Sequence, residues 1–133
     1  MYSNPQRVRI IMRNLPADKV TDEDIEFFIH RADTIIDAHL EGIYPTPLNP
    51  IPSIIMVIST DLAVFFLAES LYSSQRPNLD EHYITRYERS MNMLLGILKG
   101  DISIGVDPLP GVSVGYASTN TQQVFNYEEP SPW

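Results

Sequence analysis

Hydrophobic residues recur at steps of three and four along most of the chain, and at steps of two after Gly100. The first spacing is typical of amphipathic helices and the second of extended strands. The pattern predicts a mainly α fold in which a small bundle of three to four helices occupies residues 1–100. An extended or β-hairpin C-terminal arm and tail, residues 101–133, follows the bundle.

The first long helix is predicted from about Thr21 to Glu41. Thr21 suits the N-cap position, and Asp24 follows at the position of a capping-box acid. Gly42 and the prolines after it end the helix, because proline cannot donate the helical hydrogen bond. One apolar stripe runs along this helix and consists of Ile25, Phe28, Ile29, Ala32, Ile35, Ile36, Leu40 and Ile43.

The second helix is predicted from about Pro52 to Tyr72 and is apolar around most of its circumference. Such a helix lies either at the centre of a bundle or at a subunit contact. Its β-branched residues would also suit a strand, but about twenty residues without a breaker favour a helix. Polar and acidic residues, Asp61 among them, interrupt the stretch, so burial inside protein explains it better than a membrane span.

The third helix is predicted to start at Asn78, with Glu81 as its capping-box partner, and to end at Gly100 in a left-handed C-cap. A shorter helix is predicted near Gln6 to Asn14, with Val8, Ile11 and Met12 on one side. The stripe of the third helix is predicted to consist of Ile84, Tyr87, Met91, Leu94, Leu95 and Leu98.

The arm after Gly100 carries the residues predicted to bind partners. Two alternating segments flank the turn-forming residues Asp107 to Gly111, and a polar tail with isolated aromatic residues follows. An isolated two-stranded hairpin is marginally stable in water, so the arm is expected to pair with a neighbouring chain or to lie on the bundle. The predicted partner-binding residues are Ile102, Ile104, Val106, Val112, Val114, Tyr116, Phe125, Tyr127 and Trp133.

Charge and candidate chemistry narrow the function classes. The net charge is −8 with no run of basic residues, which argues against a nucleic-acid binder but not against a channel through which DNA slides. The chain has no cysteine, and its three histidines are too scattered for a metal site. No nucleophile elbow or phosphate-binding glycine loop is present, so we expect no enzyme activity, no cofactor and no metal.

Three acidic residues within the predicted helices, Asp33, Asp37 and Asp61, are candidates for a special role. Asp33 and Asp37 are four apart and could hold a cation, but their spacing is more typical of a solvated helix face. Asp61 lies in the apolar second helix, where a buried carboxylate needs a partner. It is expected to pair with Arg86, with Arg89 or with an arginine of another subunit, or else to point outward.

The order of these elements resembles a family of helical neck proteins from Mu-like and other long-tailed phages, known as head–tail connectors, adaptors or head-completion proteins. The resemblance covers roughly residues 20–104. It is weaker in the linker from Tyr72 to Pro77 and in the arm beyond Gly105. The similar segments are Ile36 to Leu48 with its Tyr44-Pro45-Thr46-Pro47-Leu48 ending, Ser59 to Ala63, Tyr87 to Gly100, Ile102 to Ile104, and the aromatic tail Phe125 to Trp133.

This resemblance implies a virion protein that is made in the host cytoplasm and forms a homo-oligomeric, dodecameric ring under the portal. It implies portal protein and tail or other neck proteins as partners, DNA passing through the lumen without specific binding, and no catalytic residue or membrane. The alternative is a soluble helical interaction or regulatory module. Under the first interpretation, the arm after Gly100 is expected to be poorly ordered in an isolated subunit and ordered in the ring.

Overall fold

The computed structural model describes residues 1–72 and 81–112, which form four helices joined by loops. The helices are α1 (Pro5–Ile11), α2 (Asp22–Leu40), α3 (Ser53–Tyr72) and α4 (Glu81–Lys99). Within these two ranges there is no β-strand. The structure therefore confirms the predicted mainly α bundle, including the short first helix, while the predicted start of the last helix at Asn78 lies outside the described residues.

The start of α2 follows its predicted local chemistry. The Thr21 hydroxyl accepts a hydrogen bond from the backbone N–H of Asp24, and the Asp24 carboxylate accepts one from the backbone N–H of Thr21. This reciprocal capping box satisfies two backbone donors that have no partner inside the helix. The predicted stripe also faces the core, since Ile25, Ile29 and Ile36 are fully buried.

α3 is the central helix of the bundle and packs against α1, α2 and α4. This position explains why its sequence is apolar on most sides, because most of the helix circumference meets other elements. The segment Ser53–Leu71 is long and apolar enough to cross a membrane, but 61% of it is buried inside the protein. Residues on several sides of α3 are buried, including Ile55, Ile58, Leu62, Ala63, Val64 and Leu67.

The buried face of α4 is rotated from the predicted stripe. Ser90, Leu94 and Ile97 are buried, whereas Ile84 and Leu95 are exposed. The prediction was wrong at these two positions, which lie on one outward face because eleven residues make about three helical turns. The apolar character of Ile84 and Leu95 therefore belongs to the surface of the bundle.

α4 ends at Lys99, and Gly100 forms the left-handed C-cap that the sequence predicts. Gly100 has a φ of +84°, a conformation that residues with a Cβ rarely adopt. Its N–H donates to the Ile97 carbonyl at 3.2 Å, and the Asp101 N–H donates to the Gly96 carbonyl at 2.9 Å. These two bonds form a Schellman motif, which turns the chain so that Ile102 lies beside Gly96.

Residues 101–109 run along the bundle without regular secondary structure, and a turn at Pro110 and Gly111 follows. Ile102, Ile104 and Val106 are half-buried against the core, while the residues between them are exposed. The period-two pattern is thus that of a segment packed on its own chain, which is one of the two placements expected for the arm. The ordering of the arm on ring assembly stays a prediction. The Leu109 N–H donates to the Ile43 carbonyl at 2.6 Å and fixes the segment beside the end of α2.

Candidate partner-binding surfaces

The buried carboxylate of Asp33 ties the N-terminal residues to the middle of the bundle. Asp33 is 9% exposed and accepts hydrogen bonds from the backbone N–H of Tyr2 at 2.9 Å and from the Ser59 hydroxyl at 2.7 Å. The prediction of a solvated face was therefore wrong for Asp33. Its partners come from elements distant in sequence, which a spacing pattern on one helix cannot reveal.

The side chain of Tyr2 forms two further hydrogen bonds next to Asp33. Its phenol donates to Asp37 and accepts from the backbone N–H of Leu48 at 2.8 Å. Burial, followed by the hydrogen bond to Asp37, raises the pKa of Tyr2 to about 12. Asp33 and Asp37 thus both accept hydrogen bonds from Tyr2, which hold the N-terminal residues against α2.

Asp61 is paired as the sequence predicts. It is 4% exposed, and one of its oxygens lies 3.0 Å from a guanidinium nitrogen of Arg86. A nitrogen of Arg89 lies 3.8 Å from the other oxygen. Pairing across α3 and α4 compensates for the burial of the carboxylate. Arg89 keeps 55% of its side chain exposed, so it can still contact another molecule.

A surface groove lies between the outer parts of α1 and α3, with Asp61 among its lining residues. It has a volume of about 220 Å³ and is lined by Arg7, Ile10, Ile11, Met56, Val57, Thr60 and Asp61. Ile10 is 64% exposed and Val57 is 48% exposed. Large apolar side chains at the rim of a concave surface are typical of a contact site. We call this feature the α1–α3 groove.

Other exposed apolar side chains lie on different helices. Phe27 on α2 is 64% exposed and packs edge-on against Phe28, with ring centroids 5.2 Å apart. Ile84 and Leu95 form the outward face of α4 described above. The described surface therefore presents apolar contacts on α1, α2, α3 and α4, none of which the sequence-based list of partner-binding residues included.

The predicted partner-binding residues fall into two groups. Ile102, Ile104, Val106 and Val112 are described, and each is half-buried. The first three of them contact the core of their own chain rather than standing free for a partner. The other five, Val114, Tyr116, Phe125, Tyr127 and Trp133, lie outside the described residues.

In the ranges 1–72 and 81–112, no three or more acidic or histidine side chains gather in a way that could hold a metal ion. One ring nitrogen of His39 lies 2.7 Å from the Ile35 carbonyl of the preceding helical turn. Tyr83, Tyr87 and Met91 pack against the core, and the Tyr87 ring lies 4.5 Å from that of Phe65.

Comparison with known protein families gives a match over most of the chain. A family model described as bacteriophage Mu, Gp36, matches residues 2–115 of the 133-residue chain. The chain belongs to the bacteriophage Mu Gp36 family. The match runs from the buried Tyr2, through every described helix, to just beyond the last described residue. No curated protein matches the chain.

Membership of the Gp36 family makes this a phage protein, as the resemblance in its helix ends and apolar steps implied. In the described part of this Gp36-family chain, the N-terminal residues are hydrogen-bonded to the bundle, and apolar side chains are exposed on several helices. Such a surface suits contacts with other proteins.

Proposed function

We propose that this Gp36-family protein is a structural component of the phage neck. It forms an adaptor ring, dodecameric by resemblance, that joins the portal protein to the tail or to the next neck protein. The observation that carries the proposal is the match to bacteriophage Mu Gp36 over nearly the whole chain. In this role the protein is part of the virion, is made in the host cytoplasm and is not an enzyme.

The distribution of exposed apolar side chains supports assembly into a ring. A closed ring needs heterologous contacts, in which one face of a subunit meets a different face of its neighbour. The α1–α3 groove, with Ile10 and Val57, lies on other helices than Ile84 and Leu95 of α4. The subunit thus carries separate apolar faces on different helices, which suits contacts with more than one neighbouring molecule.

The overall charge suits a lumen through which DNA moves. The chain has 17 acidic and 9 basic residues, which give a net charge of −8. Tight binding of DNA depends on Lys and Arg neutralising phosphates, and an acidic surface repels them instead. An acidic ring would therefore let the genome slide past without holding it.

Co-purification with the portal protein of the same phage tests the proposal. We expect a tagged portal to retain this chain through size-exclusion chromatography, and electron micrographs of the complex to show a ring against the portal. Mass spectrometry of purified virions should find the chain at a fixed copy number per particle. Ile84→Glu combined with Leu95→Glu tests the α4 face, with Asn92→Glu on the same helix as the matched control.

Two results would contradict a neck role. One is absence of the chain from purified virions, and the other is failure to bind the portal under conditions in which the chain is folded. A chain that stays small and binds one protein absent from the virion would instead support the alternative of a helical interaction or regulatory module. Because some connectors assemble only on the portal, a monomer in isolation supports neither outcome by itself.

A further inference from the structure

The α1–α3 groove has the size and lining to take an aromatic side chain. An apolar cavity of about 150 Å³ is known to accommodate benzene. The groove offers about 220 Å³ and is lined mainly by Ile10, Ile11, Met56 and Val57. A phenyl or phenol ring therefore fits this space and would cover apolar surface that is otherwise in contact with water.

The same groove carries a local excess of positive charge in an acidic protein. Asp61 is the acidic residue among the described lining residues, and Arg7 lines the groove with it. Arg86 and Arg89 both contact the Asp61 carboxylate from α4. Two guanidinium groups thus pair with the Asp61 carboxylate, and Arg7 lines the same groove; Arg7 and Arg89 are exposed. This charge distribution favours a ligand with carboxylates beside its aromatic group.

One segment of the chain itself has this chemistry. Residues 124–129 read Val-Phe-Asn-Tyr-Glu-Glu, in which Phe125 and Tyr127 lie within three residues of the acidic pair Glu128 and Glu129. No lysine or arginine occurs anywhere from residue 113 to residue 133. We propose that the α1–α3 groove binds residues 124–129 of a second copy of this chain, with an aromatic ring in the groove and Glu128 and Glu129 beside Arg7 and Arg89.

The choice of a second copy rests on the proposed ring. The groove and the segment are different parts of the chain, so each subunit would use its groove for one neighbour and its segment for the other. Such a contact is heterologous and can close into a ring. A segment bound in the groove of its own chain would leave no link between subunits.

Paired cysteine variants test this contact directly, because the natural chain contains no cysteine. Val57→Cys and Phe125→Cys are prepared as separate full-length proteins, mixed, and oxidised gently with oxidised glutathione. We expect a disulfide-linked heterodimer to accumulate. Leu95→Cys, also exposed but on the outer face of α4, replaces Val57→Cys in the matched control and should give several-fold less heterodimer.

Charge removal supplies the second readout. Arg7→Gln combined with Arg89→Gln, in the Val57→Cys protein, should lower the yield of heterodimer roughly threefold or more, because the ion pairs with Glu128 and Glu129 are lost. High salt should act in the same direction. If Val57→Cys does not fold, as judged by circular dichroism, Ile10→Cys takes its place at the opposite side of the groove.

Several outcomes would overturn the inference. A yield equal to that of the Leu95→Cys control would do so, as would a disulfide that forms only inside a double Val57→Cys, Phe125→Cys monomer. If linking fails while the portal still retains the chain, the groove assignment is wrong and the neck role stands. If linking succeeds but the chain is absent from virions, the groove assignment stands and the neck role is wrong.

Discussion

The phenol of Tyr2 donates a hydrogen bond to Asp37, a residue 35 positions later in the chain. The same oxygen accepts the backbone N–H of Leu48, and the backbone N–H of Tyr2 donates to Asp33. One residue near the start of the chain thus joins α2 to the loop that precedes α3. We expect its removal to affect the stability of the whole bundle rather than only that of the N-terminal residues.

The raised pKa of Tyr2 predicts a loss of stability at alkaline pH. Its pKa is about 12 in the folded protein against an ordinary value of 10, so the folded state favours the neutral phenol. The contribution is complete below pH 10 and is lost as the pH rises from 10 to 12. It should amount to roughly 2–3 kcal/mol, which corresponds to two pKa units.

Urea unfolding of the natural chain and of Tyr2→Phe between pH 8 and pH 11 measures this effect. At pH 8 the variant should be less stable by about 1–3 kcal/mol, because the Leu48 N–H and Asp37 lose their partner. The difference between the two proteins should shrink above pH 10. Parallel pH dependences would show that the other tyrosines, and not Tyr2, cause the alkaline loss.

The ion pairs of Asp61 should contribute unequally to stability. Arg86 is 3.0 Å from the carboxylate and two-thirds buried, whereas Arg89 is 3.8 Å away and more than half exposed. Arg86→Gln should therefore lower the free energy of unfolding by about 1–3 kcal/mol, and Arg89→Gln by less than about 1 kcal/mol. Urea unfolding of both variants decides the matter, and equal losses would contradict the geometry.

Ser90 offers a substitution that should not destabilise the protein. Its hydroxyl is buried, and within the described residues it has no hydrogen-bond partner. Ser90→Ala removes this unsatisfied group and raises helix propensity, so the free energy of unfolding should rise by up to about 1 kcal/mol. Ser59→Ala is the matched control and should be destabilising, because the Ser59 hydroxyl donates to Asp33. In thermal unfolding, Ser90→Ala should unfold at a higher temperature than the natural chain and Ser59→Ala at a lower one.

Gly96 and Ile102 should be energetically coupled. A Cβ added at Gly96 would lie 2.8 Å from the Cδ1 atom of Ile102, so Gly96→Ala must displace that side chain. In an Ile102→Ala background the obstacle is absent, and the same substitution should stabilise α4 by about 1 kcal/mol through helix propensity. A double-mutant cycle by urea unfolding measures the coupling, and equal effects of Gly96→Ala in both backgrounds would contradict it.

Local chemistry explains which features could be predicted from the sequence. The Thr21–Asp24 capping box and the Gly100 C-cap each depend on residues within a few positions of one another. The pairing of Asp61 with Arg86 is not local, but a carboxylate in an apolar helix requires a cation, and the next helix offers two. In these cases the requirement is visible before the fold is known.

The features that sequence reasoning missed depend on tertiary contacts. Asp33 can be buried because it accepts hydrogen bonds from Tyr2 and Ser59. The spacing of residues within α2 does not indicate either of these partners. On α4 an apolar stripe was visible, but its orientation depends on packing against α3, which buries Ile97 and leaves Leu95 exposed. The α1–α3 groove likewise exists only once α1 is placed beside α3.

The hydrogen bond from Leu109 to Ile43 sets the point from which the remainder of the chain departs. Whatever residues 113–133 contact, their tether begins beside the end of α2, and its greatest span is roughly 70 Å for a fully extended chain. Any molecule that these residues contact must therefore lie within that distance of the end of α2. A deletion between residues 113 and 124 would therefore shorten this distance, and so limit which molecules the last residues can contact, without changing the residues of the bundle.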